Sequence, residues 1–143
     1  MKVIIGSDHV GFELKEKIKK YLEKQNYPFK DIGIHSKEPV DYPDIAYNVS
    51  NEVIKNKNSK GILICATGIG MSIVANKTLG IRAALCHNEF MAKLSREHND
   101  ANILVLGSKI IKSNLIEEIV RIFLETDFSD EERHKRRVSK IKI

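Results

Sequence analysis

The feature that most constrains the fold is a fivefold alternation of short apolar segments with longer amphipathic segments. The apolar segments occupy residues 2–5, 29–32, 61–65, 81–86 and 103–106. The segments that follow them have apolar residues at helical spacing and cover residues 11–24, 44–56, 70–77, 88–98 and 112–125. Strands that alternate with helices form a parallel sheet covered on both faces, with right-handed crossovers. The sequence therefore predicts an α/β fold of five βα units.

We expect a doubly wound five-stranded parallel sheet, a flavodoxin- or Rossmann-like three-layer αβα sandwich, with a C-terminal helical tail. The flavodoxin-like strand order 2-1-3-4-5 is expected, which places the carboxyl ends of the first and third strands side by side. Ligands bind at this switch point in open α/β sheets. The loops GSDHVG, residues 6–11, and CATGIG, residues 65–70, should therefore meet at one edge.

Length and composition fit one domain that spans residues 1–143, with a basic tail at 128–143. The hydrophobic content of 42% is enough for one core, and no apolar run is long enough for a signal peptide or a membrane span. Cys65 and Cys86 are too few for a disulfide framework, which favours free thiols in a reducing compartment. We therefore expect a cytoplasmic protein that does not bind membranes.

The net charge of +5 is concentrated in the segment RHKRRVSKIKI, residues 133–143. A run of this kind is usually a solvated face, and it does not favour nucleic-acid binding. A small anionic ligand is the other explanation, because a phosphate needs only two or three well-placed cations. Arg133 and Arg137 lie four residues apart with His134 between them, which places both guanidinium groups on one side of a helix.

The loop after the third strand carries the strongest chemical signal. Cys65 ends an apolar strand, and the amides of Thr67, Gly68, Ile69 and Gly70 would lie unpaired at the start of the next helix. Such amides favour a thiolate and a developing oxyanion, which makes Cys65 a candidate base. A structural explanation stays open, in which the cysteine is a core residue and the glycines only let the chain turn. The loop matches neither a Walker sequence nor a full dinucleotide fingerprint.

Five further polar residues have structural explanations when each is taken alone. Asp8 and His9 follow the first strand, where Asp is a preferred helix cap. His98 and Asn99 end the fourth predicted helix, where a cap and a cation are both favourable. Tyr42 starts a helix and is followed by a proline that suits the first helical turn. Together with the cysteine and the tail cations, they indicate acid–base chemistry on a phosphate-bearing ligand.

Six separated motifs resemble the ribose-5-phosphate isomerase B family, also called the LacAB sugar-phosphate isomerases, in order and spacing. They are GSDHVGFELK, DYPD, ATGIGMSIVANK, GIRAA, SREHNDANIL and RHKRRV, and the match runs from residue 2 to about residue 138. The resemblance implies an aldose-ketose isomerase of the pentose phosphate pathway that interconverts ribose 5-phosphate and ribulose 5-phosphate through a cis-enediolate. It also implies that the enzyme needs no metal and no organic cofactor.

The resemblance assigns roles to residues of this chain. The catalytic residues that it implies are Cys65 as the base, Thr67 for the enediolate, and His98 with Asp8 for opening the furanose ring. The substrate-binding residues that it implies are Asp8, His9, Tyr42, Ala66, Thr67, Gly68, Ile69, Gly70, Asn99, Lys109, Arg133, His134 and Arg137. Among these, the Gly68 and Gly70 amides would stabilise the enediolate, Asn99 would hold sugar oxygens, and His9, Arg133 and Arg137 would bind the phosphate.

The chain departs from the family pattern at two positions. Ala66 stands where glycine is common, and Lys109 stands where an arginine commonly contacts phosphate. Lysine keeps the charge but loses the bidentate fork. Some members lack the cysteine and carry a glutamate at the position of Met71. This chain has methionine there, so it offers no substitute carboxylate at that position.

Three alternatives to ribose 5-phosphate isomerisation differ in what they require. A galactose-6-phosphate isomerase is the nearest, but its homologous subunits individually lose parts of the residue set that this chain holds complete. Allose 6-phosphate is a second substrate that the sequence leaves open. A flavodoxin-like module that binds a phosphate ligand without turnover would not need the cysteine, the histidine and the aspartate together.

The direction of the chain predicts a homodimer or tetramer with shared sites. His98 and Asn99 lie about ten residues along a helix that starts at the carboxyl edge of the sheet, so they should sit roughly 15 Å towards the opposite edge. If they act with Cys65 in one site, as the resemblance implies, a neighbouring subunit must supply them.

Overall fold

The computed structural model describes residues 1–141, and its elements follow the predicted alternation. The strands are β1 (Lys2–Ser7), β2 (Phe29–Gly33), β3 (Ser59–Cys65), β4 (Ala83–Leu85) and β5 (Ile103–Gly107). The helices are α1 (Phe12–Lys24), α2 (Tyr42–Lys55), α3 (Ile69–Ala75), α4 (Glu89–Glu97), α5 (Ile116–Glu125) and α6 (Glu132–Ser139), with a 3₁₀ turn, Ser113–Leu115, before α5. The strands form one parallel sheet, which confirms the predicted fold class. The last two residues of the predicted tail lie outside the described residues.

The strand order corrects the expectation. The sheet runs β2-β1-β3-β5-β4 and not 2-1-3-4-5, so β5 pairs with β3 and β4 lies at the edge. All five residues of β5 are buried, whereas β4 has only three residues and each is half-buried. Because β5 is longer and apolar on both faces, its burial inside the sheet, where helices cover it from both sides, is more favourable in free energy than the burial of β4.

A side chain closes part of the outer edge of β4. Asn76, just after α3, donates from Nδ2 to the carbonyl of Ala83 at 3.0 Å and accepts from the Ala83 amide at 2.8 Å. The pair of hydrogen bonds imitates a neighbouring strand for one residue. It satisfies backbone groups that an edge strand otherwise leaves open.

The sheet separates two apolar cores. Ile62 and Leu63 are adjacent on β3, are both fully buried, and belong to different cores because successive strand residues point to opposite faces. One core packs α1, α4 and α5 against the sheet, and the other packs α2 and α3. Among the described residues, no helix combines the length and apolar character that a membrane span requires.

The observed strand order also determines which loops meet. Because β5 lies beside β3, the Ser108 amide donates to the carbonyl of Cys65 at 2.8 Å, and the Lys109 amide donates to that of Ala66 at 3.0 Å. A Cβ at Gly107 would lie 2.5 Å from the Thr67 carbonyl oxygen, so glycine permits this close approach. The loop after β5 is therefore packed directly on the cysteine loop.

Candidate active site

The carboxyl ends of β1 and β3 meet as the sequence predicts. Ser7 is in register with Ile64, and the Asp8 amide donates to the Ile64 carbonyl at 3.1 Å. The Asp8 side chain is buried, and its Oδ1 accepts from the Gly11 amide at 2.9 Å. This bond fixes the loop before α1 and uses one carboxylate oxygen. The N-cap of α1 is Gly11 and has no side-chain cap, so Asp8 is not the helix cap that its structural explanation proposes.

An amide hydrogen bond holds the thiol of Cys65. The Gly68 amide donates to Sγ at 3.1 Å, and Cys65 is 6% exposed. Gly68 has a φ of 80°, in the left-handed region, and a Cβ there would lie 2.4 Å from Cδ1 of Leu85. Glycine is thus favoured by the backbone conformation, and a side chain there would also have to displace the end of Leu85. The sulfur therefore has a backbone donor directed at it at the carboxyl ends of the strands.

The start of α3 provides further donors beside the thiol. The first amide bonded inside α3 is that of Ser72, which donates to Gly68, so the Gly70 amide precedes the helical hydrogen bonds. The exposed Thr67 accepts from the Ile69 amide through Oγ1 at 3.3 Å. These contacts fix the loop and leave the Gly70 amide to a ligand.

Tyr42 lies against the same loop. A Cβ at Gly70 would come within 2.6 Å of two atoms of the Tyr42 ring, so the ring packs directly on this glycine. Tyr42 is 40% exposed, which leaves part of the phenol open to solvent. The DYPD motif therefore both starts α2 and brings a phenol to the cysteine loop.

His9 is held by the loop that follows β2. Its Nδ1 accepts from the Val40 amide at 3.3 Å, so the neutral ring carries its proton on Nε2. The loop in turn is anchored by Lys15, a fully buried lysine that bonds the carbonyl of Ile34 and pairs with Asp31 at 2.8 Å. Burial alone would raise the pKa of Asp31, but hydrogen bonds from Lys15 and Lys19 outweigh it and hold that pKa below its ordinary value.

Sequence reasoning missed this Lys15–Asp31 pair. The available signal was the position of Lys15, which stands next to Leu14 and three residues before Ile18 on the buried stripe of α1. The lysine holds the loop that positions His9, and it does so from outside the site.

The remaining predicted residues gather elsewhere. His98 caps the C-terminal end of α4, and its ring lies on that of His134, with 4.2 Å between ring centroids. Arg133 and Arg137 are exposed on α6, as predicted for tail cations on one helix, although Arg133 also pairs with Glu131 at 2.8 Å. The exposed Asn99 follows His98 directly.

Two groups of residues result, and we name them by their chemistry. The thiol half-site comprises Asp8, His9, Tyr42, Cys65, Ala66, Thr67, Gly68, Ile69, Gly70 and Lys109. The imidazole half-site comprises His98, Asn99, Arg133, His134 and Arg137.

The two half-sites lie at opposite ends of the strands, one at the carboxyl ends and one near the amino ends. Cys65 is in register with Gly107 at the end of β5, whereas the carbonyl of Asn99 accepts from Nε of Arg82, just before the start of β4. The amides of Asn102 and Ile103, at the start of β5, also bond Arg82. The four residue steps from Ile103 to Gly107 span about 13 Å. Within one chain, therefore, the backbone at Asn99 lies near the amino end of β5, whereas Cys65 lies beside its carboxyl end.

The fold and these two groups define a class of protein: a doubly wound α/β protein with a cluster of polar and nucleophilic groups at the carboxyl ends of its strands, where such folds bind ligands. In residues 1–141 no group of three or more His, Cys, Asp or Glu side chains is arranged to hold a metal ion. The chain belongs to the Ribose/Galactose Isomerase family, whose model matches residues 3–141.

The similarity to individual members extends along almost the whole chain. Ribose-5-phosphate isomerase B of Escherichia coli (strain K12) is 42% identical over 140 residues, covering 98% of this chain and 93% of that protein. The structure of ribose-5-phosphate isomerase B of Clostridium thermocellum is 48% identical, with a TM-score of 0.94 and coverage of 98% of this chain and 94% of that one. A ribose 5-phosphate isomerase of Thermotoga maritima is 50% identical, with a TM-score of 0.93 and coverage of 97% and 95%. The family resemblance seen in the sequence is confirmed.

Proposed function

We propose that this protein interconverts ribose 5-phosphate and ribulose 5-phosphate, with Cys65 as the base. The observation that carries the proposal is the Gly68 amide bonded to Sγ of Cys65 at the ligand-binding edge. The thiolate takes the proton from C2 of the open-chain aldose, and the electron pair of that C–H bond forms the C1–C2 double bond of an enediolate. The π electrons of the C1 carbonyl move to O1 as the enediolate forms. The hydroxyl proton on O2 then passes to O1 and the same thiol returns the first proton to C1, so that O2 becomes the carbonyl oxygen of the ketose. Atoms and electrons balance without a cofactor.

The hydrogen-bond donors of the thiol half-site are assigned to different acceptor atoms. The Gly68 amide is already committed to the sulfur, so we assign it to the thiolate. The Gly70 amide and the hydroxyl of Thr67 are assigned to the enediolate oxygens, where negative charge develops. Tyr42 lies beside Gly70 and is assigned to the sugar hydroxyls.

The other half-site supplies the step before enolisation. His98 accepts the proton of the anomeric hydroxyl and donates one to the ring oxygen, so that the bond from C1 to the ring oxygen breaks and the aldehyde forms. Asn99 holds sugar oxygens, and the exposed Arg133 and Arg137 bind the phosphate together with His9 and Lys109. Asp8 assists ring opening with the carboxylate oxygen that the Gly11 amide leaves open.

The separation of the half-sites supports a homodimer in which each site joins the thiol half-site of one chain to the imidazole half-site of its partner. A two-fold axis that brings one such pair together brings the second together as well, which gives two equivalent sites. Sedimentation velocity should show a species of twice the mass of one chain, or four times if dimers associate further. A monomer that is fully active would contradict this assembly. We also place the protein in the cytoplasm, because both cysteines are free thiols.

A direct assay of substrates tests the proposed activity. Purified protein is given ribose 5-phosphate, allose 6-phosphate or galactose 6-phosphate, with unphosphorylated ribose as the control, and the ketose product is measured. We expect kcat/KM to be highest for ribose 5-phosphate. A higher value for galactose 6-phosphate or allose 6-phosphate would contradict ribose 5-phosphate as the preferred substrate. Tight binding of all three sugar phosphates without turnover would indicate a binding module.

A further inference from the structure

His134 differs from every other residue of α6 in its surroundings. It is 2% exposed, whereas its neighbours Arg133 and Lys135 are exposed. Its ring lies on the ring of His98, with 4.2 Å between centroids and a tilt of 36°. A side chain so covered has little surface left to touch a substrate, although the family resemblance includes it among substrate-binding residues.

A hydrogen bond holds the His134 ring in this position. Nδ1 lies 2.6 Å from Oγ of Ser129, and the Ser129 amide donates to the carbonyl of Glu97 at 3.1 Å. Glu97 is the residue immediately before His98. The contacts therefore form a closed ring, from His98 to His134, from His134 to Ser129, and from Ser129 back to the end of α4.

We propose that His134 is a positioning residue that holds the imidazole of His98 in the orientation needed to open the furanose ring. The inference rests on the proposed function, in which His98 carries out that step. His98 stands at the end of a helix, where a side chain can adopt several rotamers. The His134 ring covers one face of the His98 ring and so restricts them.

Two reactions separate ring opening from the later proton transfer. Isomerisation of ribose 5-phosphate needs both steps, because that sugar is a furanose in solution. Exchange of the C1 proton of ribulose 5-phosphate with deuterium from the solvent uses the same phosphate contacts but needs no ring opening by His98, because the phosphate on O5 prevents this ketose from closing a furanose ring. A variant that disturbs only the positioning of His98 should slow the first reaction alone.

The chain offers two complementary variants and a control. His134→Asn keeps a polar group near Ser129 but removes the ring, and His134→Phe keeps the ring. Lys135→Ala alters the exposed neighbour on the same helix. We expect His134→Asn to lower kcat for ribose 5-phosphate by about tenfold or more while deuterium exchange into ribulose 5-phosphate stays within about threefold of wild type. His134→Phe should recover most of that loss, and Lys135→Ala should match wild type in both assays.

The outcomes distinguish the positioning role from the proposed function. An equal loss of both reactions in His134→Asn would overturn the positioning role and indicate a general structural defect, and unchanged rates in both would overturn it as well. A wild-type protein that turns over neither sugar would overturn the proposed activity and, with it, this role for His134.

Discussion

At the scale of single residues, the two cysteines differ in what surrounds the sulfur. Cys65 receives an amide hydrogen bond at the carboxyl ends of the strands, whereas burial raises the pKa of Cys86 to about 11 and keeps it a thiol. We expect Cys65→Ala to abolish turnover while leaving the binding of ribose 5-phosphate largely intact, because alanine has no group that takes a proton. Cys86→Ala, the matched control, should remain active. Persistent exchange of the C2 proton in Cys65→Ala, followed by NMR in deuterium oxide, would require another base.

The tail arginines offer a second prediction at this scale. A charge-assisted contact to phosphate stabilises binding by about 1.5–3 kcal/mol, which corresponds to roughly a ten- to hundredfold rise in KM when Arg137 becomes alanine. Arg136 is adjacent on α6 but lies about 100° around the helix, so Arg136→Ala should change KM little. Steady-state kinetics with ribose 5-phosphate measure both. If the two variants lost affinity equally, the effect would be one of overall charge.

At the scale of elements, the buried Lys15 ties α1 to the end of β2 and to the loop that holds His9. We expect Lys15→Met to lower the free energy of unfolding by about 2 kcal/mol, less than for an isolated buried pair because Lys19 still pairs with Asp31. KM for ribose 5-phosphate should rise as well, since the loop loses its anchor. Urea denaturation and kinetics provide the two measurements, with the exposed Lys20→Met as control. If Lys15→Met had the stability of the wild type, the Lys15–Asp31 ion pair would make no net contribution to the free energy of unfolding.

The same pair predicts a dependence on pH. The pKa of Asp31 lies below its ordinary value in the folded protein, so its contribution is fully present above the unfolded pKa of 3.8 and is lost as the pH falls through the folded pKa. Wild-type stability should therefore decline below about pH 4 more steeply than that of Asp31→Asn. Urea denaturation between pH 3 and pH 6 tests this. Parallel curves for the two proteins would contradict the assigned role of Asp31.

The elements also show how far the sequence predicts this structure. Apolar runs and helical spacing locate all five strands and their helices, because these patterns are local. The order of the last two strands does not follow from a local pattern. It depends on which of β4 and β5 buries more apolar surface when it lies against β3. The Lys15–Asp31 pair joins two residues that each look like ordinary surface charges, and only their packing makes them partners. Cys65 and Asp8 were predictable as neighbours because parallel strands end at a common edge.

At the scale of the whole molecule, one sheet carries two half-sites, one at the carboxyl ends of its strands and one near their amino ends. The cysteine loop and Asp8 lie at the carboxyl edge, whereas His98 and α6 lie near the amino edge. Chain direction alone predicts this separation, because a helix that starts at the carboxyl edge must run back across the sheet. We therefore expect a complete site to form only between two copies of the chain.

Complementation between two inactive variants tests this claim most directly. We expect Cys65→Ala and His98→Ala each to be inactive alone, and the two are unfolded and refolded as an equal mixture before ribose 5-phosphate isomerisation is measured. Half of the dimers would then be mixed, and each mixed dimer would have one site with both residues intact, so activity should recover to about a quarter of the wild-type value. A mixture that stays inactive, although native mass spectrometry shows the mixed dimers, would contradict the shared site and place His98 beside Cys65 within one chain.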